Sequence, residues 1–121
     1  PTVEDGIEFE RTIHAFQATT PDVRLHIEGS IGRPAMQSTP RNRRLWEVAG
    51  KAGAELGLEL HQARAGGGSD GNTASQYTAT LDGLGPVGDG AHAVHEHLLI
   101  DETLQRAALL TLLLIAPPME G

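Results

Sequence analysis

The feature that most limits how this chain can fold is the stretch "ARAGGGSDGNTA", residues 63–74. Three successive glycines are followed by Ser, Asp, Gly and Asn. "LELHQA" before it reads as a short strand, and "NTASQY" after it as a short helix. A flexible linker usually separates domains rather than joining a strand to a helix. A P-loop requires Gly-Lys-Ser or Gly-Lys-Thr, and no Lys is present here. A calcium roll repeats its Gly/Asp pattern in tandem, and here it occurs once. An EF-hand needs further acidic ligands than Asp70. What remains is a backbone anion cradle or an ordinary tight turn. Glycines let main-chain N–H groups approach a carboxylate or phosphate, Ser69 and Asn72 add polar side chains, and a following helix adds its positive end.

The flanking pattern alternates helices and strands. "PTVEDGIEFERTIHAF" opens with Thr2 as a cap and Asp5 three residues later, and Phe9, Ile13 and Phe16 predict one helical face. "VRLHIE" alternates, with Val23, Leu25 and Ile27 on one side, as in a half-buried strand. "GSIGRPAM" is a turn and an extended crossing, because Pro34 biases Arg33 away from helix. Thr39 then caps a helix with Pro40 at its first position, and Gly57 ends it. "ATLDGLG" reads as a short strand and turn. A last helix is expected near Asp101 as its cap. Residues 107–116 are apolar nearly all round, which predicts burial on several sides. These elements define an α/β fold class, with a composition break at 29–37 suggesting two bodies, each incomplete alone.

Composition narrows the partners. Aromatic residues are 3% of the 121 residues, so Leu, Ile, Val and Ala must build the core. The formal net charge of −7 argues against nucleic acid, which needs clustered Lys and Arg. The one basic cluster, Arg41, Arg43 and Arg44, reads as a solvated helix start. "AALLTLLLIA" is too short for a membrane span, which needs about 20 apolar residues. No cysteine is present, so disulfides and Cys-zinc sites are excluded. The compartment is left open, the cytoplasm being favoured. Pro1 at the start points to a processed chain, a trimmed one or a piece of something longer.

Two further stretches could carry chemistry. "GDGAHAVHEHLLID" holds His92, His95 and His97 with Asp89 and Glu96, donors that suit zinc. Their His-x-x-His-x-His spacing is not a local zinc signature, and each single His fits a surface or core role as well. His14, His26 and His61 read as structural, with no carboxylate spacing around His14 and His61. Arg33, held extended by Pro34, is suited to bidentate capture of a carboxylate, although a solvated Arg fits the same position.

In order, "GRPAM", a helix, "GGGSDGN", "TLDGLGPVGDGAHAVHEHLLID" and an apolar helix resemble the C-terminal portion of a zinc metallopeptidase family. That family includes glutamate carboxypeptidase, aminoacylase and succinyl-diaminopimelate desuccinylase. The resemblance implies an α/β catalytic domain over residues 34–121, preceded over 1–33 by the second half, helix then strand, of an α+β lid. It implies two zinc ions in the complete enzyme, with His92 as one ligand and Glu96 in support. It also implies that Gly67, Gly68, Ser69 and Asp70, with Asn72 close by, line the substrate pocket, and that Arg33 binds the substrate carboxylate. The substrate class would be a small carboxylate-bearing amide or peptide, and the complete enzyme a homodimer. The sequence departs from the family at "QYTA", where many members have "LGIP", and at His97, where Tyr is common.

The resemblance further implies amide hydrolysis in which the general base and most metal ligands lie outside this chain. The isolated chain is therefore expected to be inactive and unable to hold a zinc pair. Two alternatives stay open at this level: a non-catalytic carboxylate-binding module, and a structural fragment that complements another chain.

Overall fold

A computed structural model describes residues 1–118. Helix α1 spans Val3–His14. The expected capping box closes it: Asp5 N–H donates to Thr2 Oγ1 at 3.0 Å, and Thr2 N–H donates to Asp5 Oδ2 at 2.7 Å. The expected apolar face is displaced. Phe9 and Phe16 are exposed, and the partly covered positions are Val3, Gly6, Glu10 and Ile13. That face lies along the crossing segment, where Ile31 N–H donates to Glu10 Oε2 at 3.2 Å and Gln37 Nε2 donates to Glu4 Oε2 at 3.4 Å.

Helix α2 spans Pro40–Glu55, with Thr39 as its N-cap and Pro40 in its first turn, as the sequence predicts. Gly57, at φ +70°, ends it. Leu58 N–H reaches back to Gly53 O at 2.8 Å and Gly57 N–H to Ala54 O at 3.1 Å, the paired bonds of a Schellman termination. This turn folds Leu60 onto Gly53 so closely that a side chain at position 53 would collide with it.

Helix α3 is a single turn and a half, Asp70–Ala74, beginning two residues earlier than "NTASQY" suggests because Ser69 caps it. Strands β1, Gly88–Asp89, and β2, His97–Leu98, pair antiparallel, with Gly88 opposite Leu98 and Asp89 opposite His97. Helix α4 spans Ile100–Ile115 and packs on α2. Ala49 of α2 and Leu109 of α4 are its fully covered apolar contacts.

Several expectations are corrected here. Residues 23–28, 58–63 and 79–81 carry no strand, because a strand exists only through a ladder to a partner, and no partner strand lies beside them among the described residues. Asp101 sits inside the first turn of α4 and does not cap it; Leu99 holds the cap position, with no side-chain hydrogen bond. Nor is α4 buried all round. Leu104, Leu114 and Ile115 are exposed, and the covered stripe runs through Thr103, Arg106, Leu109, Leu112 and Leu113. One partner helix can cover only one stripe. No helix among the described residues is long and apolar enough to cross a membrane.

Candidate functional site

The crossing segment and the glycine loop, more than 30 residues apart in sequence, meet in space. Arg33 is the hinge of this unit. Its Nη1 donates to Gly68 O at 3.2 Å and its Nη2 to Asp70 Oδ1 at 3.2 Å. The Arg33 side chain lies along Gly68, where a Cβ would sit in contact with it, 3.4 Å from Cδ. A guanidinium carries five N–H donors, so two bonds leave it with capacity to spare.

The polar side chains of the loop are committed to holding it. Ser69 N–H donates to Asn72 Oδ1 at 2.8 Å, while Gly71 N–H donates to Ser69 Oγ at 3.0 Å. Asn72 Nδ2 donates to Pro34 O at 2.9 Å, and Gln76 Nε2 to Ala35 O at 3.2 Å, so α3 is sewn to the segment that carries Arg33. Ser69 Oγ donates in turn to Asp82 Oδ2, and Gly83 N–H donates to the other oxygen of Asp82 at 2.8 Å. The hydroxyl of Ser69 and both ends of the Asn72 amide therefore orient the loop. The N–H groups of Gly67 and Gly68 make no hydrogen bond among the described residues, and the space a Cβ would fill at Gly67 is open. These two N–H groups are free to meet an external acceptor, and the half-exposed Arg33, paired with Asp70, lies beside the Gly68 carbonyl.

Two residues of this unit were not apparent from sequence. Asp82 lies in "TLDG", which reads as strand and turn; its Asp-Gly pair is the signal of a side-chain-closed turn. Arg41, read as part of a solvated cluster, is instead partly buried. Its Nη1 donates to Tyr77 O at 3.3 Å and its Nη2 to Ser75 O. Arg43 and Arg44 are exposed, in keeping with the solvated reading, and Arg43 also donates to Ser38 O at 2.6 Å.

His92 stands apart from this network, on the loop between β1 and β2. It takes a left-handed backbone, φ +66°, and its N–H donates to Glu96 Oε2 at 3.3 Å. Glu96 thus braces the loop from four residues on. The His95 ring covers Gly90, which has φ +74° and no room for a side chain. His97 Nδ1 donates to the His95 carbonyl at 3.0 Å. A concavity of about 390 Å³ opens beside Val87, Asp89, Glu96 and His97. Elsewhere, His14 Nε2 donates to Gly29 O at 3.0 Å, and His26 lies 2.7 Å from Glu28. His61 does have a carboxylate neighbour, Glu59, at 3.7 Å.

The sequence pattern that defines Peptidase family M20/M25/M40 matches residues 2–116. With 115 of 121 positions inside the match, the chain belongs to that family, a class of peptidases. No curated protein and no solved structure matches it. The family implies a metal, and the donors present test that. Among the described residues no group of three or more His, Cys, Asp or Glu side chains is placed to hold an ion. His92 is a single imidazole on an exposed loop, and a zinc site needs three or four ligands. The described residues do not by themselves fit a zinc centre.

Proposed function

We propose that this chain contributes the substrate-carboxylate subsite of an amide or peptide hydrolase, with Arg33 and the N–H groups of Gly67 and Gly68 as its donors. The observation that carries this reading is the convergence of Arg33 on Gly68 and Asp70 across the fold. Side chains from two distant segments are brought together with donors left over, which a plain turn does not require. Arg suits the task because its planar fork can hold one carboxylate through two parallel bonds. Substrates of this kind are N-acyl amino acids and short peptides with a free terminal carboxylate. His92 is the residue of this chain best placed, by family membership, to supply one metal ligand to a centre completed by other groups.

The test is titration of the 121-residue chain with an N-acetyl amino acid while the Gly67, Gly68 and Arg33 Nε–H resonances are followed by NMR. Those three signals are expected to shift together, and the response to disappear in Arg33→Ala. Equal shifts in Arg33→Ala, or shifts confined to other parts of the chain, refute the subsite.

A further inference from the structure

We propose that Arg41 is a positioning residue that fixes the glycine loop and Arg33 relative to each other, acting from the first turn of α2 through the C-terminal end of α3. The proposal deepens the carboxylate subsite proposed above and rests on that reading for its functional meaning.

The need for such a residue follows from the size of α3. A helix of five residues is far below the dozen or so at which helices persist unaided in water. The turn that follows takes up its last carbonyls: Gly71 O accepts from Ser75 N–H, Thr73 O from Gln76 N–H and Ala74 O from Tyr77 N–H. Arg41 holds that turn in place: its fork donates to Ser75 O and Tyr77 O, the first and third residues beyond α3. Ser75 is buried, so the bond to its carbonyl is partly shielded from water, while the bond to Tyr77 O is exposed. The adjacent Asn42 completes the clamp. It is buried, its Nδ2 donates to Gln37 O at 2.9 Å, and its Oδ1 accepts from Thr80 N–H at 3.0 Å. Gln37 ends the segment that carries Arg33, and Thr80 lies on the chain leaving α3. One helical turn therefore grips both arms of the subsite.

Arg41 is retained at a cost. Its Nε is buried and has no hydrogen-bond partner among the described residues. An unsatisfied buried donor is unfavourable, so the fork geometry must matter more than the charge. Lys would carry its donors on a single nitrogen and could not span the two carbonyls with a planar fork.

The experiment is amide hydrogen exchange, resolved by NMR, on the 121-residue chain and its Arg41→Gln and Arg41→Lys variants, with Arg43→Gln as a control on the same turn. In Arg41→Gln the Gly71, Asn72 and Ser75 amides are expected to exchange roughly tenfold faster or more, as the loss of charge-assisted bonds implies. Amides in α4 should change much less, Arg41→Lys should fall between, and Arg43→Gln should resemble the unmodified chain. A uniform rise across the chain would mean a general stability role, and no rise would mean no role; either overturns the proposal. Should both variants fail to fold, scalar couplings across the hydrogen bonds from the Arg41 guanidinium to the Ser75 and Tyr77 carbonyls are measured in the unmodified chain, and their absence overturns it. Intact carboxylate binding in Arg33→Ala refutes the subsite while leaving this exchange pattern standing, so the two failures are distinguishable.

Discussion

Nη2 of Arg33 lies 3.2 Å from Oδ1 of Asp70, 37 positions further along the chain. The pair is open to solvent, with Asp70 wholly exposed and Arg33 half so. Exposed ion pairs contribute little to stability, so the value of this one is orientation. With the bond to Gly68 O it holds the guanidinium against the loop.

Asp70→Asn should therefore leave the melting temperature within a few degrees of the unmodified chain. It should loosen the Arg33 side chain, seen as faster exchange of its Nε–H. An unchanged Arg33 signal would show that the Gly68 carbonyl alone holds the group.

Gly53→Ala should destabilise the fold by about 1–3 kcal/mol, the usual cost of forcing an extra carbon into a packed site. The added Cβ would lie 2.8 and 2.9 Å from two carbons of Leu60 and 3.3 Å from Leu58 O. Gly50→Ala, on the same helix with nothing within 4 Å, is the control and should be neutral or slightly stabilising. Urea denaturation of the two variants measures the difference.

Gly88→Ala should abolish the β1–β2 pairing. A Cβ there runs into the backbone of His97 and Leu98, which cannot move aside as a side chain can. The cross-strand contact between Gly88 and Leu98 should vanish from the NMR spectrum, while Gly85→Ala, in open space, should keep it. Because His92 lies on the loop these strands close, its chemical shifts should move in the first variant only.

Acidification should fray the start of α1. The backbone and side chain of Thr2 hold the Asp5 carboxyl below its ordinary 3.8. A group whose pKa is lower in the folded state stabilises it above the unfolded value, and that contribution is lost as pH falls through the folded value. Helical Cα shifts of residues 3–6 should thus be constant above about pH 5 and decline below 3.8; Thr2→Ala, which keeps the backbone donor, should weaken this dependence, and Asp5→Ala should remove it.

What could be read from the sequence was local. Thr2 with Asp5 marked the start of α1, and Thr39 with Pro40 and Gly57 the two ends of α2, because caps depend on residues a few positions apart. The same holds for the punctuation around residues 66–72 and for the apolar run that became α4. The family, too, is carried by ordered local motifs.

Only the tertiary structure decided which partners those segments have. The alternation in "VRLHIE" and "LELHQA" is a preference for pairing, and pairing needs a neighbour that sequence spacing cannot supply. The covered stripe of α4 was set by the one helix that packs against it, through Leu109 and Ala49, and not by its own nearly uniform apolarity. Arg41 looked like surface charge until the orphan carbonyls of Ser75 and Tyr77 came within reach. Likewise Arg33, Gly68 and Asp82 are remote in sequence and meet only because long-range hydrogen bonds bring three segments together. Caps and turns are short-range energies written in neighbouring residues; a binding edge is a long-range arrangement, and it exists only once the chain has folded back on itself.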